Sequence, residues 1–85
     1  MDPLEIITNL QNVKPAYQPI VSAIKHNVVG YEVSGRYWEG DEWVKLRPFF
    51  LDNEVPDEFK MEVDQHLLHV AILDILEANK QGFLR

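Results

Sequence analysis

The chain has 85 residues, which is enough for one small domain with a modest core. It is 46% hydrophobic and 11% aromatic, as is typical of a packed protein rather than a disordered one. Eight Lys and Arg against fourteen Asp and Glu give a net charge of −6, which argues against binding of polymeric nucleic acid and against docking to anionic membrane surfaces. The net charge does not exclude a small anionic ligand in a local pocket.

The sequence contains no cysteine, so it offers neither a disulfide framework nor a thiolate metal site. Its first residues lack the basic region and the apolar run of a signal peptide. No stretch approaches the length of continuous apolar sequence that a membrane-spanning helix needs. We therefore expect a cytoplasmic protein without a membrane partner.

The N-terminal residues predict a short helix. Asp2 is suited to the N-cap position and Pro3 to the first helical position. Asn12 and Pro15 mark its expected end. The spacing of three predicts one apolar face made of Leu4, Ile7 and Leu10.

Two strands are predicted next, over Ala16–Ile24 and Val28–Trp38, because both segments are rich in Tyr, Val and Ile. Only Lys25–Asn27 separates them, which is far too short for a parallel crossover. The pair is therefore predicted to be an antiparallel hairpin. Pro19 lies inside the first strand and indicates an edge or a bulge there.

The alternation of the second strand places Glu32 on one face together with two small neighbours, Gly30 and Ser34. The opposite face is predicted to carry apolar side chains, namely Val29, Tyr31 and Val33. A carboxylate among small neighbours on a strand is unusual.

A polar turn over Glu39–Glu42 follows, and the next stretch, 44–55, is limited to short pieces of structure by Pro48. From Pro56 to about Asn79 the pattern predicts a long helix with Gly82 just beyond its end. One stripe of that helix is apolar and comprises Phe59, Val63, Leu67, Val70 and Ala71.

The other side of the long helix is apolar as well, with Leu68, Ile72, Ile75 and Leu76. A helix that is apolar nearly all round must be covered on more than one side. Either the chain is cut from something larger or it oligomerises. In the second case, we expect a homo-oligomer that uses the hairpin edge and the helix residues Leu67, Leu68, Ile72 and Ile75.

Two segments carry a resemblance to a known family. Tyr17–Val21 resembles the first-strand motif of EAL domains, and Val29–Tyr37 resembles the segment that names this family, which reads Glu-Ala-Leu, any residue, Arg and usually Trp. Glu32 and Arg36 stand at the Glu and Arg positions. The other positions depart from the pattern, with replacements at Val33, Ser34 and Tyr37.

The resemblance extends from about Ala16 to the end of the chain. Pro48–Asp52 loosely resembles a stretch of the family that contains Phe-Ile-Pro, and the helix from Pro56, with Asp64, fits the helix that follows it. The sequence is most similar to divergent EAL proteins that also carry a C-terminal sensor-like domain.

The resemblance implies a modified (β/α)₈ barrel of the TIM type, an α/β fold whose first strand is antiparallel to the others. Such a barrel needs roughly 250 residues. Residues 1–85 are thus expected to be the N-terminal part of a single EAL domain, an incomplete barrel with an N-terminal helix, a β-hairpin and a long C-terminal helix. The hairpin predicted from strand spacing agrees with this expectation.

EAL domains use Mg²⁺ or Mn²⁺ to activate a water that hydrolyses cyclic di-GMP to linear pGpG, and such cations prefer carboxylate and water ligands. The resemblance implies that Glu32 is a metal ligand, that Arg36 contacts a ligand phosphate, and that Gln18 is a polar ligand contact. The family's other metal ligands and its catalytic lysine lie on later strands. We therefore expect this chain alone to be inactive as a phosphodiesterase.

A second hypothesis belongs to a different class: a degenerate EAL segment that acts as a cyclic di-GMP receptor or as a dimerisation module. Without the motif, Glu32 would be read as a solvated carboxylate and Arg36 as a surface ion-pair partner. Their offset of four residues on a strand places both side chains on one face, which suits either reading.

Four other residues invite functional readings that are weaker than the structural ones. His66 and His69 are three apart on the long helix, but no third ligand is indicated, so an ordinary helix surface is favoured over a zinc site. Trp38 and Trp43 flank the polar turn, and core or interface anchors are favoured over a base-stacking platform.

Overall fold

The structure is a computed structural model and describes residues 2–80. It is a mixed α/β arrangement with antiparallel strands, and the order of helix, hairpin and long helix predicted from the sequence is confirmed. Gly82, predicted just beyond the last helix, lies outside the described residues. The elements in chain order are α1 (Pro3–Ile7), a 3₁₀ turn (Leu10–Asn12), β1 (Val13–Val21), β2 (Val28–Trp38), β3 (Trp43–Lys45), α2 (Arg47–Leu51) and α3 (Asp57–Lys80).

Helix α1 begins as predicted, because the Asp2 side chain accepts a hydrogen bond of 3.0 Å from the Leu4 backbone N–H. The helix has only 5 residues, however, and a 3₁₀ turn replaces its predicted second half. Ile6 is therefore the buried residue of α1, whereas Leu4 is 57% exposed. The predicted apolar face of Leu4, Ile7 and Leu10 is therefore found only in part: Ile7 and Leu10 pack against the core, and Leu4 does not.

Strands β1 and β2 form the predicted antiparallel hairpin, from the pair Val13 and Tyr37 to the pair Val21 and Val28. The bounds of β2 are those predicted. Strand β1 begins three residues earlier than predicted, and it also ends three residues earlier because the connection to β2 is a longer turn. In that turn, Ser22 accepts from the Lys25 backbone N–H at 3.0 Å through its hydroxyl.

Strand β1 lies at an edge of the three-stranded sheet, which has the order β1-β2-β3. The edge position that Pro19 indicated is confirmed. None of the helices within residues 2–80 has the length and apolar character needed to cross a membrane.

The two faces of the sheet differ in cover, and the register shows which residues lie on each. Val13 and Tyr37 are opposite one another and are both buried. Residues one position along each strand must lie on the other face, which we call the open face. It carries Lys14, Ala16 and Gln18 of β1, Glu32, Ser34, Arg36 and Trp38 of β2, and Trp43 and Lys45 of β3.

Helix α3 packs on the buried face through the stripe predicted from its periodicity. Val63, Leu67 and Ala71 of this stripe are buried. On its far side, Leu68, Ile72, Ile75 and Leu76 are between 48% and 60% exposed, so the helix is apolar on two sides as predicted. Leu67 was also expected to contact a second copy, and this was wrong, because the chain's own sheet covers it to 7% exposure.

His66 ties α3 to β1. Its Nε2 lies 3.1 Å from the backbone carbonyl oxygen of Val13, and in the tautomer protonated at Nε2 it donates a hydrogen bond there. Within residues 2–80 no group of three or more His, Cys, Asp or Glu side chains could hold a metal ion. The expectation that both histidines lie on an ordinary helix surface was wrong for His66, which is half-buried and bonded to β1.

The core lies where β2 meets α1, α2 and α3, and its centre is Gly35. A Cβ atom added at Gly35 would lie 2.8 Å from Leu46 Cδ1 and 2.9 Å from Leu67 Cδ1, so a side chain there would collide with both leucines. The Leu46 backbone N–H also donates to the Gly35 carbonyl oxygen at 3.1 Å. The core around it comprises Ile6, Val13, Tyr37, Leu46, Phe49, Val55, Val63 and Leu67.

We predict that Gly35→Ala lowers the free energy of unfolding by about 1–2 kcal/mol, because the ends of Leu46 and Leu67 must shift to accommodate the methyl group. Gly30→Ala is the matched control, since a Cβ at Gly30 meets no atom within 4 Å. Urea unfolding of both variants measures the difference. Equal stability of the two variants would contradict this account of the core.

Candidate functional site

Gln18 and Glu32 are directly opposite each other in the register of β1 and β2. Side chains of such a pair lie on the same face with Cβ atoms about 5 Å apart. Both residues are exposed on the open face. An amide oxygen and a carboxylate are thus neighbours, and both are hard oxygen donors of the kind that Mg²⁺, Mn²⁺ and Ca²⁺ prefer.

Arg36 lies on the same face, four residues beyond Glu32, as its offset predicts. Its Nη1 donates two hydrogen bonds of 3.0 Å, one to Ser34 Oγ and one to the Gly35 carbonyl oxygen. The Ser34 hydroxyl in turn lies 3.5 Å from the Ala16 carbonyl oxygen. Ser34, which replaces the usual Leu of the motif, therefore orients the guanidinium.

Sequence reasoning missed this positioning role. The available signal was a hydroxyl residue two positions before Arg36, because residues at that spacing on a strand share a face. The guanidinium is half-buried and held along its own strand, and its hydrogen bonds go to neutral oxygens. Its charge therefore stays available to an anion.

A cleft of about 600 Å³ lies beside the part of β2 that β3 does not pair with. Glu32, Arg36 and Lys45 line it from the sheet, and Arg47 and Asp64 line it from α2 and α3. Three cations therefore face one cleft in a chain with only eight Lys and Arg and a net charge of −6. Two carboxylates, Glu32 and Asp64, share the lining with these three cations, so the cleft keeps an excess of positive charge that can attract an anion.

Lys45, Arg47 and Asp64 were not identified as site residues from the sequence. Lys45 and Arg47 fall in the stretch whose structure was left ambiguous, and nothing local indicates that they turn back toward Glu32. Asp64 and Glu32 contribute two carboxylates to the cleft lining. That donor set suits a divalent cation chemically, but residues 2–80 do not assemble the three ligands of a complete metal centre.

Tyr17 anchors the strand that carries Gln18. Its hydroxyl donates to Asp74 Oδ2 at 2.6 Å, which joins β1 to α3 across the covered side of the sheet. Partial burial of the phenol and the adjacent Asp74 carboxylate raise the pKa of Tyr17 to about 12. Because Tyr17 is held on one face, its neighbour Gln18 is held on the other.

Trp38 and Trp43 form a pair at the end of the sheet, with ring centroids 5.3 Å apart and planes inclined by 56°. They are register partners and lie on the open face beyond Arg36. Trp43 is 50% exposed, so of the two predicted roles, core anchor and interface anchor, the first does not apply to this residue. The interface-anchor alternative stays a prediction.

Comparison with known proteins identifies a relative of this chain. No protein-family model matches the sequence. The chain is 48% identical over 79 residues to an uncharacterized EAL-domain containing protein of Bacillus subtilis, YkuI, and these residues are 93% of this chain and 19% of the relative. The chain therefore spans about one fifth of the relative's length.

A solved structure of the same relative is also similar to this chain. The crystal structure of the Bacillus subtilis YkuI protein, with an EAL domain, in complex with substrate cyclic di-GMP and calcium, is similar to this chain with a TM-score of 0.85 and 49% identity. The similarity covers 92% of this chain and 20% of that chain. At such identity both the sequence resemblance and the mixed α/β arrangement with antiparallel strands are confirmed.

We predict that Tyr17→Phe lowers the free energy of unfolding by about 1 kcal/mol at neutral pH, because it removes the bond to Asp74 from a partly exposed site. The pKa of Tyr17 is raised from 10.0 to about 12 in the folded chain, so the folded state holds this proton more tightly. The stabilisation is complete below pH 10 and is lost as the pH rises from 10 to 12.

Chemical denaturation of both proteins at several pH values measures this dependence. Tyr31→Phe is the control, since Tyr31 is 53% exposed on the same hairpin. A stability difference between wild type and Tyr17→Phe that persisted unchanged above pH 12 would contradict the role given to the phenol proton.

Proposed function

The chain is homologous to a segment of an EAL domain, and from that premise we propose that its open face forms part of a site that binds cyclic di-GMP with a divalent cation. The observation that carries this proposal is the placement of Gln18, Glu32 and Arg36 on one face of the hairpin. The related Bacillus subtilis structure, which holds cyclic di-GMP and calcium, supports it.

In the proposed site, the Glu32 carboxylate is a ligand of the cation, the Arg36 guanidinium binds a phosphate of the dinucleotide, and Gln18 contacts the ligand beside Glu32. A planar guanidinium suits paired phosphate oxygens, and Ser34 already orients it. We propose Mg²⁺ or Mn²⁺ as the working cation, since both take the hard oxygen ligands that calcium takes.

The position of α3 supports the proposal that the open face points toward the inside of a barrel. In a (β/α)₈ barrel the helices form the outer ring and the site lies inside, at the carboxyl ends of the strands. Here α3 covers the opposite face, and Arg36 lies near the carboxyl end of β2. We propose that residues 1–85 are the N-terminal part of such a barrel, in which the open face points inward.

We further propose that, in a complete EAL domain, this face takes part in metal-dependent hydrolysis of cyclic di-GMP to pGpG. The bound cation would activate water and stabilise charge on the phosphate. Glu32 would hold the cation in place, and Arg36 would orient the phosphodiester. The chain spans about one fifth of its relative, and the cluster of ligands is incomplete within residues 2–80, so the 85-residue chain alone is expected to show no turnover.

A second candidate function is self-association of a non-catalytic receptor. Its support is the exposed apolar side of α3, where Leu68, Ile72 and Ile75 are between 48% and 60% exposed. Part of β2 also has an unpaired edge, because β3 pairs only with residues 36–38. Both features are available to a second copy of the chain.

Self-association through α3 predicts that the wild-type chain is a dimer in light scattering and that Leu68→Glu together with Ile72→Glu converts it to a monomer. A charge at either position would have to be buried in the dimer. Ile24→Glu provides the control, since Ile24 is 90% exposed in the hairpin turn and is not part of α3. A monodisperse wild-type monomer at high concentration would rule out this interface.

The cyclic di-GMP proposal is tested by replacing the matched 79-residue segment of YkuI with this chain and titrating cyclic di-GMP calorimetrically with Ca²⁺, Mg²⁺ or Mn²⁺. We expect binding that weakens by about tenfold or more in Arg36→Ala, since a charge-assisted phosphate contact is lost. In Glu32→Gln, we expect binding to lose its dependence on the cation.

Lys25→Ala and Glu58→Gln are matched controls for charge, because both residues are exposed and lie outside the strands that carry the open face, Lys25 in the hairpin turn and Glu58 in the first turn of α3. The controls should bind like the unsubstituted chimera. A chimera that binds cyclic di-GMP equally well in all four variants would show that the open face is not the site.

A further inference from the structure

Three cations form one row across the whole sheet. Arg36 on the central strand is directly opposite Lys14 on β1 and directly opposite Lys45 on β3. Side chains that are opposite in antiparallel strands share a face and lie close together. Like charges in such positions repel, so the row is unfavourable unless an anion is shared between them.

Two carboxylates, Glu32 and Asp64, line the cleft that Arg36 and Lys45 also line, and they offset the charge of the row only in part. Arg36 directs its hydrogen bonds to two neutral oxygens, and Lys14 and Lys45 are exposed. The nearest carboxylate along β2 on this face is Glu32, four positions from Arg36. A row with a charge of +3 in a chain of net charge −6 is therefore a local site of positive potential.

An aromatic pair adjoins this row. Trp38 and Trp43 lie two positions beyond Arg36 and before Lys45 on their strands, which corresponds to about 7 Å along the sheet. Their rings are tilted by 56° rather than stacked, and Trp43 is half exposed, so a ring face remains accessible. Exposed aromatic faces stack readily against nucleobases.

We propose that the row of Lys14, Arg36 and Lys45 and the pair of Trp38 and Trp43 form one nucleotide subsite. The row binds phosphate oxygens, and the pair stacks against the base attached to that phosphate. This inference rests on the proposed function and extends it, since it adds four residues to the cyclic di-GMP site that the EAL motif does not contain.

The dimensions of the subsite favour a small nucleotide over a nucleic-acid strand. One row of three cations can engage one or two phosphate groups, whereas a strand presents a continuing line of them. Beyond the row, the chain's overall acidity repels such a line. The separation of the row from the rings also suits the phosphate and the base of a single nucleotide.

The two tryptophans are the only ones in the chain, so intrinsic fluorescence reports directly on the subsite. The experiment titrates the 85-residue chain in EDTA, which removes any contribution of a metal site. Three probes separate binding by the cation row from binding by the tryptophan pair. GMP carries both a base and a phosphate, guanosine carries a base without phosphate, and pyrophosphate carries phosphate charge without a base. We expect saturable quenching by GMP, with guanosine weaker by about fivefold or more.

Lys14→Ala and Lys45→Ala should each weaken GMP binding by about fivefold, as expected for loss of one exposed charge contact. Lys25→Ala, on the exposed hairpin turn, should leave it unchanged. Trp43→Leu should weaken GMP but not pyrophosphate, with pyrophosphate followed by calorimetry. Circular dichroism of each variant confirms that it is folded.

Equal quenching by GMP and guanosine, or equal effects of Lys25→Ala and Lys45→Ala, would overturn the proposal. So would GMP binding that Trp43→Leu leaves intact. The outcome is separable from that of the proposed function: cyclic di-GMP binding that depends on Glu32 and Arg36 but not on Lys14, Lys45 or Trp43 would refute the subsite alone. GMP binding at the row without any metal-linked cyclic di-GMP binding would refute only the metal-linked site.

Discussion

The close approach of two leucines to one glycine determines which face of this sheet is buried. Gly35 has no side chain, so Leu46 and Leu67 can pack directly against the backbone of β2. This contact brings α3 against one face and leaves the residues on either side of Gly35 pointing away from it. Glu32 and Arg36 lie on the open face because α3 packs against the opposite face of the sheet.

Two longer-range hydrogen bonds reinforce this arrangement. His66 of α3 bonds to Val13 at the start of β1, and Asp74 of α3 accepts a hydrogen bond from Tyr17 in the middle of β1. Helix α3 therefore contacts the edge strand at two positions along its length. Within residues 2–80 neither of these bonds reaches the hairpin tip, where Ile24 is 90% exposed. The two bonds thus fix the part of β1 that contains Gln18. The apolar side of α3 remains exposed, which is consistent with a segment that packs against further protein.

The sequence was informative where local rules act strongly. The bounds of β2, the antiparallel hairpin, the stripe on α3 and the shared face of Glu32 and Arg36 all follow from alternation, periodicity and connection length. The errors arose where tertiary packing decides. The predicted face of Leu4, Ile7 and Leu10 does not hold for Leu4, because the first helix is shorter than its pattern and buries Ile6 instead. Of the core and interface roles left open for Trp43, the core role does not apply, because its face of the sheet is uncovered.

The candidate site shows the same division. Gln18, Glu32 and Arg36 were identified through a family motif, and their shared face follows from strand geometry. Sequence reasoning did not identify Lys14, Lys45 and Arg47. Only the strand register and the return of the chain through β3 bring these residues near Arg36. Charge rows across strands depend on pairing between distant segments, and composition alone conceals them in a chain whose net charge is negative.

The most direct test of the central claim, that the open face presents the cation ligand, is paramagnetic broadening by Mn²⁺ in backbone NMR spectra of the 85-residue chain. Because residues 2–80 hold only part of the ligand set, the account predicts weak binding: as Mn²⁺ is raised, broadening appears first at Glu32 and at its register partner Gln18, and Glu32→Gln abolishes it there. Broadening centred instead on the acidic segment from Asp52 to Glu58, and unchanged by Glu32→Gln, would contradict the account.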